Sequence, residues 1–549
     1  MTSAKFNSFL AALFLCMLPF LISGLSSMNL SGKTKSKFKV PSNQDAEKQD
    51  LFVKWMSSDS LTEIRHPGVS LEVIGSIPPY VKGTYIKNGP GLFGLADGSR
   101  RYTHAFDGLA KLQRFEIKGN NDVTFTTRFV DSTIKRAMLN SKRPFIPAHL
   151  STGPVDPPFP IWKVLLNSLN FDNTCVNFEE ISSSGVFCAV TDASIRMEID
   201  PITLETRRRI PDGKIEGVEG IAKLSTAHSK VARRDGKTYN YYLEMGFQTW
   251  AHIVRTDTNL SQKSIGKVLI SGQPSYVHEI SVTDNYAVLC MHPLFLDFAQ
   301  SLKQGALLPS LKFDSSCPTL IHIFDLQGIK PVRTFEAPPC WSYHHVNAFE
   351  VGSDVILDLI AYEDASITNG PHAYLYMENM ETAENRAKQA KEGTLWRFTM
   401  NMDIDSKLSK VEKKTVYNLD NGLPIVMELV SISPECRGKA YRYVYGFTGF
   451  YKGEAGYLDW AIVKQDVSLN QRHGVWHEEY CYPGEPTFIY NPEGSEEDDG
   501  VLISTVYDSK RGENFLLVLD ASSMKEIARA YTGVGFPQSF HGKFFPSKG

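Results

Sequence analysis

From about residue 76 the chain breaks into short runs of β-branched and aromatic residues, each closed by Gly, Pro, Asn or Asp. GTYIKNGPG (83–91), KLQRFEIKG (111–119), VTFTTRFV (123–130), SGVFCAVTD (184–192) and TLIHIFDLQG (319–328) set the rhythm. DVILDLIAYED (354–364), YRYVYGFTG (441–449), GVLISTVYD (500–508) and NFLLVLD (514–520) continue it. Runs of this kind read as strands bounded by turns. Few helical stretches interrupt them: LFVKWMSSDSL (51–61), PIWKVLLNSLN (160–170), PLFLDFAQSLKQGALL (293–308) and ETAENRAKQAKEG (381–393). Without βαβ alternation, the pattern predicts a large antiparallel all-β unit. A β-propeller absorbs such a length while leaving only short, protected edges. There is no exact repeat and no WD signature, so periodicity does not select the propeller. From pattern alone, a pair of sandwich domains remains the alternative.

Composition narrows the function classes. The 549 residues are 42% hydrophobic and carry a net charge of −3. That is enough apolar material for a large core, and it lacks the basic footprint of a nucleic-acid binder. The eight cysteines form no CxxC pair, which removes zinc ribbons and thioredoxin-like chemistry. They are expected to be core thiols. No GxSxG elbow, P-loop or GxGxxG occurs, and SEEDDG (495–500) lacks EF-hand spacing and reads as a turn before a strand.

The N-terminus has a different character. After Lys5, FLAALFLCMLPFLISGL (9–25) runs 17 residues without charge, followed by Ser26 and Ser27. Residues 1–26 read as a signal peptide or a signal anchor, and 17 residues is the short limit for spanning a bilayer. Residues 27–50, with the Lys- and Ser-rich SGKTKSKFKVPSNQ (31–44), read as a flexible linker or a transit-like segment. Entry into the secretory route follows, with a complex-type plastid or an endomembrane as the destination. The single large domain is expected over residues 51–549.

Four of the 14 histidines share a context, on or beside an apolar strand and next to small or turn residues. They are His228 in LSTAHSK, His278 in SYVHEIS, His344 in SYHHVNAF and His541 in QSFHGKFF, separated by 50, 66 and 197 residues. HEISV (278–282) and HEEYC (477–481) lack the second histidine of HExxH, so a zincin is excluded. If the four converge, they do so from different strands around one axis. Imidazoles suit Fe, Zn, Cu or Ni without choosing among them. An all-imidazole shell leaves an ion's full charge to be offset by carboxylates that accept the outer N–H of each ring. Acids stand in otherwise apolar stretches at Asp192, Glu428 and Glu485. Taken singly, each histidine or acid is equally compatible with a core or turn role. Because successive strand residues face opposite ways, His344 and His345 cannot both look into one site.

KNGPGLF and YTHAFDGLA, then STAHSK, VHEISVTDNYAVL, HHVNAFE with DLIAYEDAS, EPTF with EEDDGVLIS, and SFHGKF follow one another over residues 76–546. This ordered set resembles the carotenoid cleavage oxygenase family, which includes apocarotenoid-forming dioxygenases, β-carotene oxygenases and a retinoid isomerohydrolase. The resemblance implies a seven-bladed β-propeller with a helical and loop cap over one face. It implies Fe(II) held by His228, His278, His344 and His541, with His345 facing away. Asp192, Glu428 and Glu485 would back His278, His344 and His541 respectively, leaving His228 without an acid. Asp192 departs from the family's glutamate and is expected to loosen its hold, unless the backbone moves in. Tyr343 departs from the usual phenylalanine. The implied activity is cleavage of a conjugated C=C bond of a carotenoid or apocarotenoid with O2, giving two carbonyl fragments. An isomerohydrolase, a stilbene-cleaving oxygenase and a non-catalytic lipophilic-ligand-binding propeller are the alternatives. The apolar segments at 160–170 and 293–313 would touch a membrane surface or else cover the core.

Overall fold

The predicted strand runs pair with their neighbours along the chain, and seven meandering sheets follow one another. The computed structural model describes residues 43–547 apart from 57, 168–170, 182–183, 211–213, 221, 329–331, 369–375, 378–392, 405–407, 414–425, 450–458 and 470. The leader and most of the Lys-rich segment lie outside the described residues, as do residues 381–392 of the predicted helix over 381–393. The seven sheets are the blades of a β-propeller, which replaces the sandwich alternative.

The chain's ends close the ring. The last strand, Gly542–Pro546, pairs with Gly83–Pro90 as the innermost strand of the first blade, with Thr84 opposite Phe545. The early strand Val73–Gly75 pairs with Glu526–Tyr531 at the outer edge of the last blade. Each terminal segment therefore completes a blade built mainly from the other end. Opening the ring would cost two sets of ladder hydrogen bonds and expose the blade edges.

The core lies between blades. Ile86 and Leu112 of the first blade meet Phe178 and Met197 of the second. Ile253 packs with Leu289 and Phe324, Ile321 with Leu357 and Phe398, and Ile462 with Leu502 and Leu517. Central strands are thus covered on both faces, and Gly500–Asp508 is buried at every position. This explains why such strands read as continuous apolar runs rather than strict alternation.

Helices sit outside the sheets. The first among the described residues, Asn43–Met56, begins eight residues before the predicted stretch, because its opening turns are polar and carry no apolar period. Its C-terminal turn is anchored by aromatics. Trp55 stacks on Tyr507 at 5.0 Å and on Tyr482 at 5.2 Å, and its indole N–H donates to the Phe536 carbonyl at 2.9 Å. The predicted helix over 293–308 divides into a strand, Leu294–Leu296, and a helix, Phe298–Gln304. Asp297 caps that helix by accepting from Gln300 N at 3.0 Å, and Gly305 ends it at φ 67°. Leu294, Leu296, Leu308 and Leu311 turn inward, so this segment chiefly covers core. The helix Ile161–Asn167 leaves Ile161 and Trp162 exposed at 45% and 57%. Among the described residues, no helix is long and apolar enough to cross a membrane. All seven cysteines from Cys175 onward are free thiols, five of them buried.

Trp55→Ala removes both stacking contacts and a buried hydrogen bond. It is expected to lower stability by about 3–5 kcal/mol, read from the denaturant midpoint of purified protein.

Candidate metal centre

Every blade offers the axis one residue at or just before its innermost strand. In chain order these are Asn177, His228, His278, His344, Glu428, Glu485 and His541. His344 immediately precedes the strand His345–Val351, and His541 immediately precedes Gly542–Pro546. His228 lies between the short strands Ala222–Ser225 and Lys230–Val231, and Glu485 between Cys481–Pro483 and Thr487–Tyr490. The chain leaves an outer loop and enters the ring at these points, so the side chain there meets its counterparts from other blades.

The four predicted histidines come together. One ring nitrogen from each lies within 4.8 Å of the other three. Ring centroids of His228 lie 4.5 Å from His541, 4.6 Å from His278 and 5.2 Å from His344. All four are at least nine-tenths buried. His345 points elsewhere, its Nδ1 sharing a 2.8 Å hydrogen bond with Ser281 Oγ.

The predicted acids stand behind three of the rings. Asp192 Oδ2 lies 2.6 Å from His278 Nδ1, Glu428 Oε2 2.5 Å from His344 Nδ1, and Glu485 Oε1 2.8 Å from His541 Nδ1. Each carboxylate occupies an Nδ1 and leaves the Nε2 of that ring for the centre. The Nε2 atoms of His228 and His344 are buried and have no hydrogen-bond partner among the described residues. Orphaned buried acceptors are costly unless something fills the space between them. Four neutral imidazoles with outward carboxylates and unpaired inward nitrogens fit a divalent transition metal. Asp192 has not loosened its hold. The hairpin carrying it comes close enough for direct contact.

Each acid is itself held. Tyr276 donates its hydroxyl to Asp192 at 2.7 Å, and Tyr362 donates to Glu428 at 2.6 Å. The fully buried Lys87 donates to Glu485 at 3.0 Å, and Gly542 N donates to the same carboxylate at 2.7 Å. Gly542 is needed here, because a Cβ would meet the Lys87 side chain at 2.3 Å. Burial pushes Asp192 and Glu428 up, but their histidines and donors outweigh it and hold both below the ordinary carboxylate range. Burial also opposes ionisation of Glu485, yet Lys87 and then His541 draw its pKa down to about 2. Burial, and after it the neighbouring imidazoles, hold His228 well below its ordinary value, so it is neutral. Three carboxylates against Lys87 leave two negative charges, matching a divalent cation.

Sequence reasoning missed Lys87, Asn177, Tyr276, Tyr362 and Glu279. Lys87 had a signal, since a lysine inside the apolar run GTYIKNGPG requires a buried counter-charge. Tyr343 packs edge-on against His278, with ring centroids 5.0 Å apart, and its hydroxyl is buried. Phe106 and Phe540, 5.0 Å apart, extend the aromatic lining.

The comparisons with known proteins agree in extent with this architecture. Residues 58–546 match the family described as retinal pigment epithelial membrane protein. Beta,beta-carotene 15,15′-dioxygenase of Mus musculus is 30% identical over 528 residues, covering 87% of this chain and 89% of that protein. The Homo sapiens enzyme of the same name is 28% identical over 532 residues, with 87% and 92% covered. A variant of Synechocystis apocarotenoid oxygenase superposes with a TM-score of 0.75 at 21% identity, covering 91% of this chain and 99% of that one. A cobalt-substituted form of that oxygenase gives the same TM-score and coverage.

Glu485→Gln leaves Lys87 buried beside a neutral amide and is expected to cost about 3–5 kcal/mol at neutral pH. Glu485 has a folded pKa near 2, below its ordinary 4.5, so its contribution is complete above about pH 4.5. It declines as pH falls from there toward 2. The gap in melting temperature between metal-free wild type and variant is therefore expected to stay constant from pH 7 to 5 and to narrow below.

Proposed function

The chain belongs to the retinal pigment epithelial membrane protein family, and from that premise we propose that it is an Fe(II) dioxygenase that cleaves a conjugated C=C bond of a carotenoid or apocarotenoid. The observation that carries this reading is the ring of four buried histidines, three of them backed by a carboxylate on Nδ1. His228, His278, His344 and His541 would hold the iron. Bound there, a ferrous ion would supply the electron exchange that makes O2 reactive toward an alkene. The overall change balances without a reductant: one C=C and one O2 become two C=O groups.

The chain's own residues provide positioning. Asp192, Glu428 and Glu485 fix the tautomer and tilt of three rings, and Tyr276, Tyr362 and Lys87 fix the acids. Phe106, Tyr343 and Phe540 give the site apolar walls that suit a polyene and exclude water. Alignment matters because a misplacement of about 1 Å costs on the order of 10²-fold in rate.

A substrate of this class resides in membranes, and docking on a bilayer surface belongs to the same proposal. Ile161 and Trp162 support it, and Phe145 and Leu139 are likewise exposed, at 53% and 42%. Lys142, Arg143 and Lys163 stand beside them in sequence. The leader reading of residues 1–26, with delivery through the secretory route, is supported by the uncharged stretch 9–25.

Protein loaded with Fe(II) and given a panel of carotenoids and apocarotenoids under ¹⁸O2 is expected to release two carbonyl products, each carrying label when analysed at once by mass. Unlabelled fresh product would overturn the dioxygenase reading. His344→Ala is expected to lose stoichiometric iron together with turnover. Trp162→Glu is expected to reduce sedimentation with anionic lipid vesicles several-fold while leaving turnover of detergent-dispersed substrate intact.

A further inference from the structure

The ring His228 lacks the carboxylate that its three partners have. Its Nδ1 faces the Asn177 side-chain nitrogen at 3.3 Å, and the Asn177 oxygen is taken by Phe178 N at 2.8 Å. An imidazole that offers its Nε2 lone pair to a metal carries its proton on Nδ1. An amide nitrogen is a donor and cannot accept that proton. The nearest carboxylate oxygen to Nδ1 is Glu279 Oε1, at 3.9 Å. Glu279 is 5% exposed and directly follows the ligand His278. Its Oε2 accepts from the His345 backbone N–H at 2.6 Å, and its Oε1 pairs with Lys230.

We propose that Glu279 is the fourth outer carboxylate of the metal centre, a positioning residue that accepts the Nδ1 proton of His228 when the site is loaded. This rests on the metal-centre reading above. An approach of about 1 Å brings Oε1 to hydrogen-bond distance. The side chain can make it while Oε2 stays anchored to the strand that follows His344. Lys230, a third exposed along its side chain, can yield Oε1 to the ring and turn to solvent. Glu279 then links three ligands: His278 through the chain, His344 through the His345 amide, and His228 through its ring.

The test loads Co(II) into wild type, Glu279→Gln, Glu279→Ala and Lys230→Met, then follows metal loss to excess chelator and the visible ligand-field bands. Near-ultraviolet circular dichroism checks that each is folded, and the isosteric Gln variant serves if Ala does not fold. The Glu279 variants are expected to lose cobalt on the order of 10–100-fold faster than wild type, Ala faster than Gln, with shifted bands. Lys230→Met is expected to keep the wild-type rate, since the acid is freed for the ring. Wild-type rates and bands in Glu279→Gln would overturn the inference. Equal acceleration in Lys230→Met and Glu279→Gln would do the same, by reducing Glu279 to a lysine partner. If wild type itself retains neither Co(II) nor Fe(II), the dioxygenase reading falls too; if it retains metal and Glu279→Gln does also, only the fourth carboxylate falls.

Discussion

The hydrogen bond from an imidazole Nδ1 to a largely buried carboxylate is the interaction on which this centre depends. It is made three times, at 2.6, 2.5 and 2.8 Å, by pairs 56 to 86 residues apart in the chain. Each bond decides which nitrogen faces the axis and at what tilt. Without it, four histidines whose ring centroids lie within 5.2 Å in five of their six pairs would be a group of crowded bases with no fixed tautomer. With it, they form a donor set of one tautomer. The propeller makes the bonds possible, since each blade brings one inner-strand head to a common axis. The interlocked chain ends matter for the same reason. His541 immediately precedes the closing strand, so the fourth donor is in place only when the ring is shut.

Burying that much charge is tolerable only because it is matched locally. A carboxylate in a low-dielectric interior is costly unless it is paired and fully hydrogen-bonded. Asp192 takes Ala227 N, Tyr276 and His278; Glu428 takes Leu429 N, Tyr362 and His344; Glu485 takes Gly542 N, Lys87 and His541. The pattern repeats: one backbone amide, one donor side chain and one imidazole. Only Glu485 has a full cation as its donor, which leaves the ensemble with the two negative charges a divalent metal cancels.

The β character was legible because turn residues punctuate the strand runs, from GTYIKNGPG to NFLLVLD. The number of blades was not legible from period. The sheets hold four to six strands each, and cap segments of unequal length separate them. Family resemblance supplied the seven. The ligand positions could be picked out because an imidazole among small and apolar residues at a strand head is out of place, and the geometry brings those four together. The supporting layer was harder to read. Tyr276 and Tyr362 resemble any core tyrosine in sequence, and their role appears only when the hydroxyl is seen against a carboxylate. Glu279 was visible as the residue after His278, but attention to HExxH asked only for a second histidine four places on. The N-terminal helix began early for a related reason: NQDAEKQD favours helix without displaying an apolar face.

Asp192 shows how the fold absorbs a change that the sequence alone made doubtful. Its side chain is one methylene shorter than glutamate, yet Oδ2 reaches His278 at 2.6 Å. The residue sits in the tight turn between Val186–Thr191 and Ala193–Ile199. Its other oxygen accepts from Ala227 N at 2.8 Å, one residue before His228. The short acid therefore does two things a longer, freer one would do less rigidly. It orients His278 directly, and it pins the loop that carries His228. The shorter side chain still reaches its imidazole, and a contact between adjacent blades comes with it.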